Sequence, residues 1–95
     1  MSRPKKLPRS EAAKRLSELD GWRITRGVLR KTYSFDGFPA AMRFVQKTGR
    51  HAQRVDHHPD IDIRFSKVTL ALVTHDAGGL TDSDFRFASA VDRAR

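Results

Sequence analysis

The segment VTLALVTH, residues 68–75, decides the fold, because it is apolar at almost every position and therefore predicts a central β-strand. Side chains alternate across a strand, so Val68, Leu70 and Leu72 should share one face. IDIRF, residues 61–65, also alternates and predicts a partner strand that carries Ile61, Ile63 and Phe65 on one face. A tight connection at Ser66–Lys67 would join these two strands into a hairpin.

The region before this hairpin predicts a second one. WRIT and VLRKTYSF, within residues 22–35, alternate in residue type on either side of Arg26–Gly27. Leu29, Tyr33 and Phe35 would share one face of the longer strand. Together the two hairpins predict four antiparallel strands.

Three helices are predicted between and around the hairpins. The first begins at a capping Ser10, and the last begins at a capping Thr81 and directs Phe85, Ala88 and Val91 inward. The middle helix, with Pro39 in its first turn, ends before Pro59, because the residue that precedes a proline is pushed away from the helical region.

The middle helix has two chemically different sides. One side is apolar and should face the core: Phe38, Ala41, Met42, Val45, Gly49 and Ala52. The opposite side is basic and should face solvent, with His51 as an exposed surface residue: Arg43, Lys47, Arg50, His51 and Arg54.

The order helix, two strands, helix, two strands, helix predicts an α+β fold in two layers. We expect a four-stranded antiparallel sheet, built from two hairpins, with the helices packed on one face. A length of 95 residues allows a single domain, which we place at residues 9–95. Residues 1–8 are basic and contain two prolines, and we predict that they form a flexible tail.

The composition limits the functional classes. A net charge of +8 can attract nucleic acid, anionic membranes or small anions, but no base-reading motif is visible, so a nucleic-acid partner is not favoured. The absence of cysteine excludes disulfides and thiolate catalysis. No run of about 18 apolar residues and no secretory signal pattern occurs, so we expect a cytoplasmic protein without a membrane span. Such a small core often gains stability from oligomerisation.

Three of the four histidines lie close together in the sequence. His57 and His58 occur in DHHPD, where the middle helix ends, and His75 occurs in VTHDAGGLTDSD, at the end of the last strand. Imidazole exchanges protons near neutral pH, so two imidazoles can supply an acid and a base together. If the last strand packs beneath the middle helix, the three rings would converge at one rim of the sheet.

The residues alone leave three interpretations of this cluster. HHPD could be only a helix stop followed by a turn. The histidines could bind zinc or iron together with Asp56, Asp60 or Asp76, although their spacing matches no compact ligand motif. They could also carry out metal-free acid–base catalysis on a small molecule. The motifs typical of nucleotide hydrolysis and of serine acyl transfer are absent.

The segment that follows His75 has structural and functional interpretations too. Thr81 and Asp84 resemble a capping box in which Asp replaces Glu, and an acid in the first turn suits the helix dipole. The glycines of DAGGL could form a turn or could let the backbone approach a ligand.

Taken together, these motifs resemble the pterin-4a-carbinolamine dehydratase family. The resemblance runs through LDGWRI, LRKTYSFDGFPAAMRFV, AQRVDHHPDI and VTLALVTHDAGGLTDSD, roughly residues 16 to 92. It implies the dehydration of 4a-hydroxytetrahydrobiopterin to quinonoid dihydropterin, which recycles the pterin used by aromatic amino acid hydroxylases. It also implies dimers or tetramers, no metal and no further cofactor.

The resemblance also implies roles for individual residues. His57, His58 and His75 would be the active-site histidines. Our own hypothesis is that His57 and His75 form the acid–base pair, with neither assigned as the acid, and that His58 holds the pterin. The resemblance carries two aspartates of the site over to Asp56 and Asp84. We expect the pterin pocket to include residues 74–78, with Thr74 and Asp76, and to include Gln53.

One position departs from the family pattern. Gln53 stands where the family usually has a glutamate, and an amide keeps hydrogen bonding but cannot carry charge. A non-catalytic protein-binding or dimerisation module therefore stays open as an alternative, since some animal members of the family also act as transcription cofactors.

Overall fold

The computed structural model describes residues 4–95, which form a two-layer α+β domain. The elements are α1 (Arg9–Ser17), β1 (Arg23–Thr25), β2 (Val28–Ser34), α2 (Phe38–Val55), β3 (Asp60–Arg64), β4 (Lys67–Leu72), a short 3-10 helix (His75–Ala77) and α3 (Asp82–Ala94). The strands pair in the order β1-β2-β4-β3, and every pair is antiparallel. The predicted fold class is confirmed.

The core lies between one face of the sheet and the helices. Leu29 pairs with Leu72 and Tyr33 with Val68, so that all four side chains point to the same face, where they are buried. The helices fill the other side of the core with Phe44, Phe85, Phe87, Ala88 and Val91. The predicted inward face of the last strand and that of α3 are therefore confirmed.

The connection between β3 and β4 differs from the prediction. Arg64 pairs with Lys67, so the turn consists of Phe65 and Ser66 instead of Ser66 and Lys67. Phe65 adopts a φ of 53° and is 73% exposed, so it leaves the face that Ile61 and Ile63 share. β4 itself ends at Leu72, and His75 begins the short 3-10 helix instead of ending the strand.

The inward side of α2 is rotated relative to the prediction. The buried residues are Ala41, Phe44, Thr48 and Ala52, whereas Phe38 is 48% exposed. The rotation follows from the aromatic ring of Phe44, which packs 4.5 Å from the ring of Tyr33 and 5.2 Å from that of Phe35. Burying this large ring outweighs burying the smaller residues on the predicted side.

The start of the domain also differs in detail. α1 begins at Arg9 behind Pro8, whose carbonyl accepts a hydrogen bond from the Ala12 N–H, so Ser10 lies inside the helix and does not cap it. The N–H of Leu7 donates to the carbonyl of Leu80 at 2.8 Å, and Leu7 packs against the core. Residues 1–3 of the predicted tail lie outside the described residues, and the flexibility of residues 1–8 stays a prediction.

A polar cluster fixes α3 to the sheet. The carboxylate of Asp92 accepts hydrogen bonds from Trp22 Nε1 at 2.9 Å, from Lys31 Nζ at 2.8 Å and from the Tyr33 hydroxyl. Burial acts to raise the pKa of Asp92, but these three hydrogen bonds outweigh burial and lower it. Burial and the contact with Asp92 both raise the pKa of Tyr33. The cluster holds the helix whose first turn contributes to the site described next.

Candidate active site

The end of α2 sets the position of the two adjacent histidines. Asp56 adopts the left-handed conformation, with φ 53° and ψ 46°, and its N–H donates to the carbonyl of Ala52. The N–H of His57 donates to the same carbonyl at 3.1 Å. Aspartate tolerates this conformation better than most residues, and it is a common way to end a helix. The reversal places His57 and His58 beside the helix instead of along its axis.

His57 contacts the first turn of α3. Its Nε2 lies 2.6 Å from Oδ1 of Asp84, whose side chain is completely buried. A carboxylate only accepts hydrogen bonds, so Nε2 carries the hydrogen and Nδ1 of neutral His57 keeps the free lone pair. Asp84 thus fixes both the orientation and the tautomer of the imidazole.

The second oxygen of Asp84 joins the end of β4 to α3. Oδ2 accepts from the Thr74 hydroxyl at 2.8 Å and from the Thr81 N–H at 2.9 Å. Thr74 Oγ1 in turn accepts from the Thr81 hydroxyl at 2.8 Å, since its own hydrogen points to Asp84. Thr81 and Asp84 form the predicted capping box, which is confirmed. Asp84 therefore satisfies the helix end and holds His57 with the same carboxylate.

His58 has a separate partner. Its Nε2 lies 2.7 Å from Oε1 of Gln53, five residues earlier on α2. The amide oxygen accepts from the ring N–H, so the contact orients His58 without placing a charge beside it. Glutamine has nearly the same shape as glutamate but carries no charge, so this contact is neutral.

The remaining predicted site residues lie at the surface. His75 and Asp76 are exposed at the start of the 3-10 helix, immediately after Thr74, and Asp56 is exposed at the end of α2. Within residues 4–95 the side chains of these three residues make no hydrogen bond to another residue. The structure thus joins His57, Asp84 and Thr74 in one network, pairs His58 with Gln53, and leaves the other three side chains free to contact a ligand.

A groove with a volume of about 520 Å³ opens beside His57, between α2 and α3. Of the predicted site residues, it contains His57 but neither His58 nor His75. The ring of Phe87 lies 6.1 Å from that of His57 and 4.9 Å from that of His51. The site therefore includes an aromatic wall that the sequence analysis did not assign to it.

His51 is not the fully exposed residue that was predicted. It is half-buried against Phe87, and burial, followed by the charge of Arg54, lowers the pKa of His51. The feature of the sequence that indicates the partial burial of His51 is Phe44, which lies two helical turns earlier on nearly the same side of α2.

Residues 4–95 contain neither a cluster of metal-ligating side chains nor a helix that could span a membrane. In residues 4–95 no group of three or more histidine, aspartate or glutamate side chains is close enough to hold a metal ion. No helix in the same range is both long and apolar enough to cross a membrane.

The fold and the contacts define a class: a small two-layer α+β domain that holds an orientated histidine against a buried aspartate at one rim of its sheet. Comparison with known proteins narrows this class. The family model for pterin 4 alpha carbinolamine dehydratase matches residues 5–94, and the chain belongs to this family.

Several relatives are similar over most of the chain. A protein of Roseiflexus sp. (strain RS-1), provisionally named pterin-4-alpha-carbinolamine dehydratase, is 47% identical over 87 residues, which cover 92% of this chain and 94% of the relative. A protein of Herpetosiphon aurantiacus with the same provisional name is 44% identical over 87 residues, 92% of this chain and 91% of the relative.

Two solved structures are similar in fold. A transcriptional coactivator/pterin dehydratase from Brucella melitensis superposes with a TM-score of 0.90 and 27% identity, over 94% of this chain and 97% of that one. A pterin dehydratase-like protein described as a RuBisCO assembly factor in the alpha-carboxysome superposes with a TM-score of 0.65 and 21% identity. The superposition covers 77% of this chain and 87% of that one, and this likeness concerns the fold alone.

Proposed function

We propose that this protein dehydrates 4a-hydroxytetrahydrobiopterin, a pterin-4a-carbinolamine, to quinonoid dihydropterin and water. The observation that carries the proposal is the hydrogen-bond chain from His57 through Asp84 to Thr74. It fixes one imidazole where α2, α3 and the end of β4 meet, within a chain that belongs to the pterin 4 alpha carbinolamine dehydratase family.

The reaction needs two proton transfers. The substrate has a hydroxyl on a ring carbon beside a ring N–H. The carbon–oxygen bond breaks while an acid protonates the departing hydroxyl, a base removes the proton from nitrogen, and a carbon–nitrogen double bond forms. Imidazole and imidazolium can supply both functions near neutral pH without an added metal.

Within this proposal, His57 and His75 are the acid–base pair, and His58 holds the pterin. Neutral His57 offers the lone pair on Nδ1, because Asp84 accepts the hydrogen on Nε2. His75 is exposed and free to turn toward a substrate at the end of β4. Gln53 fixes His58 through a neutral contact, and Asp56, Thr74 and Asp76 supply polar groups around the pterin.

We further propose a cytoplasmic homodimer or homotetramer that needs no cofactor. β3 forms one edge of the sheet, Ile61 on this strand is 37% exposed, and Phe65 in the turn that follows the strand is 73% exposed. An unpaired edge strand with exposed apolar side chains favours pairing with another chain. A second copy of this protein would cover both features.

A stopped-flow assay on synthetic 4a-hydroxytetrahydropterin tests the proposed activity. We expect the protein to accelerate dehydration well above the spontaneous rate and His57→Ala or His75→Ala to lower the rate by about 10²-fold or more. His57→Asn is the matched variant, since its amide can still contact Asp84 but cannot transfer the proton. A spontaneous rate with folded wild-type protein would refute the proposal.

The second candidate function is a non-catalytic protein-binding module. The same exposed residues, Phe65 and Ile61, are the observation in its favour. Under this alternative, substitution of Phe65 by Ser would abolish a partner interaction, while wild-type protein would leave the dehydration rate at its spontaneous value.

A further inference from the structure

Two adjoining grooves follow the side of α2 that faces α3. Their volumes are about 520 Å³ and about 430 Å³, and both are lined by His51 and Ala90. Each volume lies within the range of about 300–1,000 Å³ that is typical of small-molecule sites. Because they share these two residues, we treat them as one elongated site, the α2–α3 groove.

The α2–α3 groove is strongly positive. Six cationic side chains line it: Arg15, Lys47, Arg50, Arg54, Arg86 and Arg93. None of its lining residues, within the part of the chain that the structure describes, is aspartate or glutamate. A concave surface of one charge focuses the electrostatic potential and attracts ions of opposite charge.

Local ion pairs neutralise little of this charge. Asp82 lies 2.8 Å from Arg15 and 3.6 Å from Arg86, so one carboxylate is shared by two guanidinium groups. The other four cations of the groove form no ion pair with any residue in the range 4–95. The positive charge is therefore available to a ligand.

A buried hydroxyl offers a second, independent indication of a ligand. Thr48 lines the groove and is only 1% exposed, and its Oγ1 has no hydrogen-bond partner among residues 4–95. Buried polar groups normally have a partner, so an unpartnered one calls for an explanation. Because the hydroxyl itself is covered, a ligand oxygen in the groove would accept its hydrogen after the side chains over it move aside.

We propose that the α2–α3 groove binds a small molecule that carries two or three phosphate groups. Lys47, Arg50 and Arg54 follow one another about one helical turn apart, roughly 5.4 Å, so their charges extend along the helix over a length that suits two or three linked phosphate groups. Arginine binds phosphate oxygens through two parallel hydrogen bonds. Val55, which is 47% exposed, provides an apolar surface for the organic part of the ligand.

A small ligand fits the groove better than a nucleic-acid strand. Single-stranded nucleic acid is bound by aromatic side chains on which the bases stack. The aromatic residues of this groove, Phe44 and Phe87, are buried in the core and cannot offer a free ring face. His57 lines one end of this groove, but the proposed binding does not depend on the proposed dehydration chemistry.

Isothermal titration with inorganic tripolyphosphate tests the proposal directly. The double variant Arg50→Gln/Arg93→Gln removes two exposed charges from the groove. Arg23→Gln/Arg43→Gln is the matched control, since it removes the same charge from exposed positions that do not line the groove. We expect the groove variant to weaken binding at least tenfold and the control to change it less than twofold.

An NMR titration of the wild-type protein provides a measurement that needs no variant. We expect tripolyphosphate to shift amide signals of residues 47–55 and 83–93 and to leave those of β1 and β3 unchanged. Absence of binding, equal weakening in both double variants, or tighter binding of a single-stranded oligonucleotide than of tripolyphosphate would each overturn the proposal. The dehydration assay is read separately, so failure of either proposal leaves the other intact.

Discussion

Nε2 of His57 and Oδ1 of Asp84 lie 2.6 Å apart although 27 positions separate the two residues in the sequence. The same carboxylate accepts a hydrogen bond from the N–H of Thr81, the residue that caps α3. Helix capping and the orientation of the histidine thus depend on one buried side chain. A change at Asp84 must therefore affect stability and the proposed catalysis together, and suitable variants can separate the two effects.

The first prediction concerns Asp84→Asn. Asparagine keeps the size of the side chain but has one acceptor oxygen instead of two, so it cannot serve His57 and the capping box equally. We expect the dehydration rate to fall by about 10²-fold and the free energy of unfolding to fall by about 1–3 kcal/mol. Stopped-flow kinetics and urea unfolding measure the two effects.

Thr81→Val is the control for Asp84→Asn. It removes the hydroxyl from the cap but keeps the N–H that donates to Asp84 and does not contact His57. Stability should fall by about 1 kcal/mol while the rate stays close to that of the wild type. A wild-type rate in Asp84→Asn would show that the contact with His57 plays no part in catalysis.

The second prediction concerns Gln53→Glu. The carboxylate of the introduced glutamate would lie where Oε1 of Gln53 now accepts a hydrogen bond from His58 at 2.7 Å. A neighbouring negative charge favours the protonated form of an imidazole. If His58 must be neutral to hold the pterin, the acidic limb of the pH–rate profile should move to higher pH by about one unit.

Gln53→Leu tests the contact itself. Leucine removes the hydrogen bond without adding charge, so KM should rise while the position of the acidic limb stays unchanged. An unchanged pH profile in Gln53→Glu would mean that the charge at this position does not control the site.

The strands and their buried face were predictable because the residue pattern of β4 allows only one of its faces to be fully apolar and buried. Val68, Leu70 and Leu72 share one face, so burying all three fixes which face of β4 turns to the core, whereas the pairing of β4 with β2 depends on residues far away in the sequence. The rotation of α2 was not predictable from a helical wheel, since a wheel weights residues by position, whereas the core is filled by the volume of Phe44.

The site was predictable only in part for a different reason. The capping box is local, so Thr81 and Asp84 were recognised from their spacing. The contact between His57 and Asp84 depends on the end of α2 lying beside the first turn of α3, and no local sequence pattern carries that information. The roles assigned to His57, His58 and His75 stay predictions, and the variants described above test them.

The third prediction concerns the backbone at Asp56. With a φ of 53°, this residue favours Gly, Asn or Asp, and a β-branched side chain would clash with the backbone. We expect Asp56→Val to lower the free energy of unfolding by about 1–3 kcal/mol and Asp56→Gly to change it little. Thermal unfolding compares these variants with the wild type.

Asp56→Val and Asp56→Gly also separate the effect of the backbone conformation on function from the effect of the Asp56 carboxylate. Asp56→Gly keeps the turn but removes the carboxylate, so a raised KM in a normally stable protein would indicate contact with the pterin. Equal stability of Asp56→Val and Asp56→Gly would contradict the view that the left-handed turn limits the choice of residue.

The fourth prediction concerns the pH dependence of stability at Asp92. The pKa of this carboxyl is lowered from 3.8, because hydrogen bonds from Lys31, Tyr33 and Trp22 outweigh its burial. A lowered pKa in the folded state stabilises the fold above the unfolded value and loses this contribution as the pH falls through the folded value. The stability that depends on the charge of Asp92 should therefore be constant near neutral pH and decline below about pH 4.

Urea unfolding of wild type and Asp92→Asn over a range of pH checks this expectation. The variant should be less stable by about 1–3 kcal/mol at neutral pH, since Lys31 loses its charged partner, and the difference should narrow as the pH falls below about 4. Tyr33→Phe is the control, because it removes one donor to Asp92 but keeps the ion pair with Lys31. A difference between wild type and Asp92→Asn that is the same at acidic and neutral pH would show that the charge of Asp92 does not stabilise the fold, and that the cluster acts only through packing and neutral hydrogen bonds.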